Sequence, residues 1–307
     1  MPGVEANRQE WDGAYAWPKA GEEWSTGWGG PDAQWHSTLL PRLRLFLPTS
    51  VILEIAPGYG RWTEYLLRCC DRYVGVDISA QGVEACRQRF AEVEHAEFHV
   101  GDGKSLSPID DATVELAFSF DSLVHVEEDV IAAYLNELAR VLTADGVAFL
   151  HHSNLAACRP VARPLRFALH AAERAWKKET RGFDHWRGTT MSAQRFDELA
   201  TKAGLVCIGQ EVVNWLGGRM LDCISLVTPP ASRWERPNAV VHNPYFMAEA
   251  ASTARAAQVY GDRPPPPALL TDAPSRHHLG PLARITSKSI GPWGVSVVGP
   301  LRRKRRL

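Results

Sequence analysis

The chain has 307 residues, 45% of them hydrophobic and 22% charged, with a formal net charge of −1. That length and balance exclude wholesale disorder and supply one large domain with extensions. The charge is uneven, with 22 Lys+Arg against 31 Asp+Glu in residues 1–227 and 12 against 4 in residues 228–307. An acidic body with a basic tail offers no broad positive face for nucleic acid, so nucleic acid is not an expected partner.

No stretch approaches the ~18 consecutive apolar residues of a membrane span. Met1-Pro2-Gly3-Val4-Glu5 has neither the basic flank nor the apolar run of a secretory signal. The six cysteines include no Cys-x-x-Cys pair, so reduced thiols and a cytoplasmic location are expected.

Residues 1–50 are rich in Trp and Gly, among them Trp11, Trp17, Trp24, Trp28 and Trp35. Such a segment cannot form its own core, so it is expected to wrap onto the following domain as an aromatic lid, with Trp24 or Trp28 closing the site. A short helix from Ala33 to Leu47 is bracketed by Pro31 and Pro48.

Strand and helix then alternate. Val51–Ala56 reads as a strand, Arg61–Cys70 as a helix, Tyr73–Val76 as a strand and Ala80–Glu92 as a helix. Ala96–Val100 and Leu116–Ser119 are strands, Glu128–Val141 is a helix, and an Asp145-Gly146 turn leads into a strand at Val147–His151. Strands separated by helices predict a parallel α/β sheet covered on both faces.

The rhythm breaks at an insertion of about residues 155–190, where Leu155–Lys178 is a basic amphipathic pattern interrupted by Pro160 and Pro164. Ser192 caps a helix to Ala203, and Leu205–Trp215 with Met220–Val227 reads as a terminal antiparallel hairpin around Gly217-Gly218. The main domain is thus expected to span residues 51–227. Residues 228–307 form a Pro-rich basic extension, irregular apart from a short helix near Pro244–Tyr260. Arg302–Arg306 reads as a solvated end.

The sharpest motif is Glu54-Ile55-Ala56-Pro57-Gly58-Tyr59-Gly60, where the first strand meets the first helix. Glycines there let backbone approach a ligand, and the helix N-terminus presents free N–H groups. Asp77 ends the second strand, where a carboxylate accepts ribose hydroxyls. Gly101-Asp102-Gly103 follows the third strand and Phe120-Asp121 the fourth, so these loops converge on the crevice where open α/β sheets bind ligands. A nicotinamide dinucleotide is disfavoured: position 63 is Thr where its fingerprint wants a third glycine, and Glu54 would repel a pyrophosphate.

Together with the string Phe118–Val126 and the closing hairpin, these residues resemble the class I S-adenosylmethionine-dependent methyltransferases, among them small-molecule and sugar O-methyltransferases of bacteria. The resemblance spans about residues 51–227. It implies a Rossmann-like, doubly wound, seven-stranded sheet whose last strand is antiparallel, with S-adenosylmethionine as cofactor. It also implies cofactor contacts at Glu54, Ala56, Gly58, Gly60, Asp77, Ile78, Asp102, Gly103 and Phe120. Of these, Gly58 and Gly60 back the methionine portion, Glu54 supports the glycine loop, Asp77 holds the ribose and Asp102 the adenine amine. Ala56 stands where the family more often has Gly, and it fits if its φ is negative.

Methylating a hydroxyl calls for a base near the carboxyl edge of the sheet. His151-His152 end the fifth strand there, one side chain facing the crevice and the other away. Asp121 is the assisting carboxylate, and His125 has a structural or acceptor-side place. Asp184-His185-Trp186-Arg187 have the composition of a substrate loop, since aromatic faces stack on sugar rings while Asp and Arg bind hydroxyls. Glu127-Glu128-Asp129 reads as a complement to a helix N-terminus rather than a metal site. The expected activity is methyl transfer to a hydroxyl of a polar small molecule, a sugar or glycosylated metabolite. The alternatives are N-methylation of a small-molecule or peptide amine, or a cofactor-binding scaffold. Homo-oligomerisation stays open.

Overall fold

The parallel β1 (Thr49–Ile55), β2 (Cys70–Asp77), β3 (Ala96–Val100) and β4 (Val114–Ser119) form where the apolar, β-branched runs stand in the sequence. β5 (Leu142–Ser153) extends them, and β6 (Val206–Val213) and β7 (Asp222–Thr228) follow. The computed structural model describes residues 3–158, 186–215 and 219–260. The chain divides after Tyr260 into two units, and every described residue belongs to the first. Asp184, His185, the Gly217-Gly218 turn and most of the amphipathic pattern at 155–178 lie outside the described residues.

The sheet has eight strands in the order β3-β2-β1-β4-β5-β7-β6-β8. β7 runs antiparallel to both β5 and β6, as the hairpin pattern implies. The eighth strand, β8 (Val240–Asn243), adds to the expected seven and pairs parallel to β6, with Gln210 opposite Val240 and Val213 opposite Asn243. Four residues without alternation carry no strand signal of their own. This strand exists because the outer edge of β6 is there to pair with. The compact unit therefore runs to Tyr260 and not to Val227. Its last helix, Phe246–Tyr260, falls in the span expected for a helix and buries Phe246 and Ala250.

Smaller departures have local causes. The Asp145-Gly146 turn becomes a bulge inside β5, since Val114 pairs with Leu142 but Leu116 with Val147. The helix expected at Arg61–Cys70 is a single turn, Thr63–Leu66, followed by a 3₁₀ turn, because Cys70 already begins β2. Residues 31–43 are helical throughout, with a π turn at Trp35–Leu39.

Alternation along the strands fills two cores. Ile52, Leu116, Phe118 and Phe149 join one face with the N-terminal residues Trp28, Trp35, Leu39 and Leu43. Leu53, Ala117, Ala148 and Leu150 join the other, beneath helices Glu128–Val141 and Ala193–Lys202. Ile131, Leu135 and Leu138 give the first of these helices its buried stripe at i, i+4, i+7. The reversal of strand order between β1 and β4 opens a crevice at the carboxyl ends of the strands. Among the described residues, no helix is long and apolar enough to cross a membrane.

Candidate functional site

A cavity of about 410 Å³ occupies that crevice, between the strand-end loops and the N-terminal segment. The loop after β1 forms one wall. Glu54, 2% exposed, accepts hydrogen bonds from the Tyr73 hydroxyl (2.5 Å) and the Thr63 hydroxyl (2.7 Å). Burial pushes its carboxyl up to about 7 against those two bonds. It braces the strand–helix junction from beneath and is not itself part of the cavity wall.

Gly58 and Gly60 both have left-handed backbone, φ 59° and 84°, and so does Ala56, at 60°. The negative φ expected of Ala56 is therefore corrected. Its N–H donates to the Val76 carbonyl (2.8 Å), and Ser122 Oγ donates to the Ala56 carbonyl (3.1 Å). These bonds hold a conformation that costs an alanine about 1–2 kcal/mol.

Asp77 is fixed by two backbone donors, Gly58 N to Oδ2 (2.7 Å) and Ser79 N to Oδ1 (2.8 Å). Burial raises its pKa, and those N–H groups oppose the rise. Asp77, Ile78 and Gly103 line the cavity together. At Gly103 an added Cβ would lie 2.9 Å from Ile78 and 3.1 Å from Val4, so the wall has room for glycine alone. Asp102 is exposed and stays outside the lining, its Oδ1 accepting from the N–H groups of Lys104 (2.8 Å) and Ser105 (2.7 Å). Those donors hold its carboxyl below the ordinary range.

The N-terminal segment roofs this end. Trp17 stacks on Tyr59 at 4.5 Å, and a Cβ on Gly58 would come within 3.0 Å of its ring. Asp12 Oδ1 accepts from Ser79 Oγ (2.9 Å) and Gln81 N (3.0 Å), tying the roof to the loop that carries Asp77. Asn7 donates to the His125 carbonyl (3.0 Å) and accepts from Trp11 Nε1 (3.1 Å). Trp24 lines the cavity; Trp28 does not, being buried against Trp215 and Phe246 with its indole N–H on Thr38.

At the other end stand Phe120 and Asp121, with Asp121 at φ 66°. Arg61 Nη2 donates to Asp121 Oδ2 (2.9 Å), and the Asp121 N–H donates to His151 Nδ1 (3.1 Å). His151 faces the crevice side of the sheet but is fully buried, behind Phe120 at 4.4 Å and Trp215 at 5.3 Å. His152 points to the opposite face, stacks on Phe196 at 4.3 Å and bonds Ser153 O and Ser225 Oγ. Burial lowers its pKa to about 4.

Neither histidine lines the cavity, which corrects the expectation that one of them meets an acceptor. The physical reason is what packs on each face of the sheet: Phe120 and Trp215 lie over His151, and Phe196 lies over His152.

Among the described residues, the histidine that lines the cavity is His125, between Trp11 and Trp186. Burial lowers its pKa, and its Nδ1 donates to the Trp186 carbonyl (2.7 Å). Trp186 and Arg187 line the cavity too. Arg187, 4% exposed, donates from Nε (2.5 Å) and Nη2 (2.7 Å) to Asp222. Burial works against ionisation of Asp222, yet Arg187 and then His151 outweigh it and hold the carboxyl at about 2. The acidic run is engaged elsewhere: Glu127 on Thr189 and Thr190, Glu128 on Arg195, Asp129 on Lys104.

Arg61, Trp62, Trp215 and Asp222 had escaped sequence reasoning. A charged residue opening the apolar run Cys223–Val227 was the one visible signal for Asp222.

The methyltransferase-domain family model matches residues 52–146. Geranyl diphosphate C-methyltransferase from Streptomyces coelicolor A3(2) shares the fold, with a TM-score of 0.51 and 13% identity over 74% of this chain and 98% of its own. Also similar are the PH0226 protein from Pyrococcus horikoshii OT3 (TM-score 0.46, 21% identity, 64% of this chain and 90% of its own) and N-methyltransferase NodS from Bradyrhizobium japonicum WM9 (0.45, 18%, 65% and 97%). A comparison with curated proteins found no match.

Proposed function

We propose that this chain, whose residues 52–146 match the methyltransferase-domain model, is a class I S-adenosylmethionine-dependent methyltransferase that methylates a hydroxyl of a polar small molecule of sugar or glycosylated type. The observation that carries this reading is the far end of the cavity. There the Asp121 carboxylate stands among the aromatic side chains of Trp62, Trp186 and Trp215, beside Arg61 and Arg187. Aromatic faces suit the apolar faces of a sugar ring, and the charged groups suit its hydroxyls.

The near end fits the cofactor. Asp77 has lone pairs left for ribose hydroxyls after its two backbone bonds, and the close walls at Gly58 and Gly103 fit a ligand that lies flat against backbone. Gly58, Asp77, Ile78 and Gly103 would hold it, under a lid made by Asn7, Trp11 and Trp17. Bound S-adenosylmethionine would supply an electrophilic methyl group, whose bond to sulfur breaks as the bond to the acceptor oxygen forms, with S-adenosylhomocysteine leaving.

Asp121 orients the acceptor hydroxyl and takes its proton as the new C–O bond forms. Arg61 keeps that carboxylate in place, and the aromatic walls exclude water. Positioning supplies most of the acceleration in such a displacement, and a placed base adds about 10²–10⁴-fold.

The test is to incubate the protein with methyl-labelled S-adenosylmethionine and a panel of glycosides, phenols and amines. Label should pass to a glycoside hydroxyl. Asp121→Asn should lower that turnover by about 10²-fold or more while S-adenosylhomocysteine affinity stays within about threefold. Label passing only to amines overturns the reading.

A further inference from the structure

A chain of charged side chains lies under the acceptor end and joins two matching arms. In the first, the Arg61 guanidinium sits over the Trp62 ring at 4.5 Å and bonds Asp121. In the second, the Arg187 guanidinium sits over the Trp215 ring at 5.8 Å and bonds Asp222 through two nitrogens. Both arginines and both tryptophans line the cavity, although they come from opposite ends of the domain sequence. His151 stands between the arms.

The sheet order explains why. β5 lies between β4, after which Asp121 follows, and β7, which begins at Asp222. A side chain at the end of β5 on the crevice face can therefore reach both acids. His151 Nδ1 accepts the Asp121 N–H at 3.1 Å, so that nitrogen carries no proton. The other ring nitrogen, Nε2, is buried 3.6 Å from Asp222 Oδ2, just beyond hydrogen-bond distance, and makes no hydrogen bond. The backbone bond to His151 also helps to hold Asp121 at its left-handed φ of 66°.

We propose that His151 is the positioning residue of the acceptor site, the hub that sets both arginine–tryptophan arms at once. The proposal rests on the methyl-transfer reading of the cavity. His151 is 0% exposed and can act on an acceptor only through the groups it holds. Its Nδ1 bonds the Asp121 backbone and its Nε2 edge packs 3.6 Å from the Asp222 carboxylate, so a replacement that keeps only the Nδ1 acceptor should separate the two arms.

The experiment uses the full chain saturated with S-adenosylhomocysteine and labelled with ¹⁵N in histidine, arginine and tryptophan. In the wild type, Nδ1 of His151 should show the signature of a hydrogen-bond acceptor, and the Nε–H signals of Arg61 and Arg187 should exchange slowly. His151→Phe keeps the stack on Phe120 but breaks both links. It should speed exchange at both arginines by about tenfold or more and shift the indole signals of Trp62 and Trp215. His151→Asn places an acceptor near the Nδ1 position, so it should restore the Arg61 arm and leave the Arg187 arm loose.

Both arms unchanged in His151→Phe would reduce the residue to packing, and disturbance of one arm alone would overturn the hub. If the phenylalanine variant does not fold, the one-sided rescue in His151→Asn decides. With a glycoside from the labelled panel, the acceptor KM should rise about tenfold in His151→Phe, with a smaller change in kcat. A fall in kcat of about 10²-fold at constant acceptor KM would make His151 a proton acceptor and overturn positioning. The spectra need no turnover, so a panel without any acceptor would remove the methyl-transfer reading and leave these readouts intact.

Discussion

Under β1, β2 and β3 the cavity is built from backbone: left-handed turns at Ala56, Gly58 and Gly60, a carboxylate held by two N–H groups, and glycines too tightly packed for a side chain. Under β4, β5 and β7 it is built from long side chains that meet across the sheet, Arg61 with Asp121 and Arg187 with Asp222, with His151 between them. The first end depends on chain conformation within single loops, and the second on strand order. Damage at the two ends should therefore differ in kind. A change at the first should be felt mainly in cofactor affinity, and a change at the second mainly in stability and acceptor handling.

The largest contrast should come from removing a buried ion. Asp222→Ala leaves the Arg187 guanidinium buried without its carboxylate, and urea unfolding should show a loss of about 3–5 kcal/mol. Asp102→Ala, at the exposed cap beside the other end, should cost under about 1 kcal/mol. A similar cost for both would erase the distinction. The Asp222 contribution also has a defined pH dependence. Its folded pKa of about 2 lies below the ordinary carboxylate value. The stabilisation is therefore complete above the unfolded pKa of about 4 and is lost as pH falls from there towards 2, an effect of about 2–3 kcal/mol.

The cofactor end should respond in affinity. Asp77→Ala removes a charge-assisted contact, and calorimetric binding of S-adenosylhomocysteine should weaken by about 1.5–3 kcal/mol. Unchanged affinity would leave Asp77 as a brace for Gly58 alone.

The smallest effect should appear at Ala56. Replacing it by Gly relieves the left-handed strain but adds freedom to the unfolded chain, so the two terms largely offset. Ala56→Gly should raise the unfolding free energy by up to about 1 kcal/mol. A loss of more than that would mean the Ala methyl group packs usefully despite its backbone.

Much of the first end could be read from the chain because each signal sits within a few residues. Gly58 and Gly60 mark turns, Asp77 marks a strand end, and Ser192 caps its helix through Arg195 N as its type suggests. The second end was read only in fragments. His151, Asp121 and Arg187 stood out singly by residue type, but their partnership depends on β4 and β7 flanking β5. Arg61 and Trp215 looked like ordinary surface and core residues. The error about His151 and His152 had the same origin, because cover over a strand-end side chain comes from distant residues, here Phe120 and Trp215 on one face and Phe196 on the other. β8 and the lid's anchoring through Asp12 and Asn7 likewise depend on surfaces that exist only after the sheet has formed.

Hydrophobic period, turn chemistry and the spacing of glycines and acids are properties of neighbouring residues. They were enough to predict an α/β sheet and the crevice at its carboxyl edge. Which side chains meet over the acceptor, which histidine is buried and where the domain ends were decided by tertiary structure. Those outcomes follow from strand order and from burial by distant segments, and no local stretch of the chain encodes either.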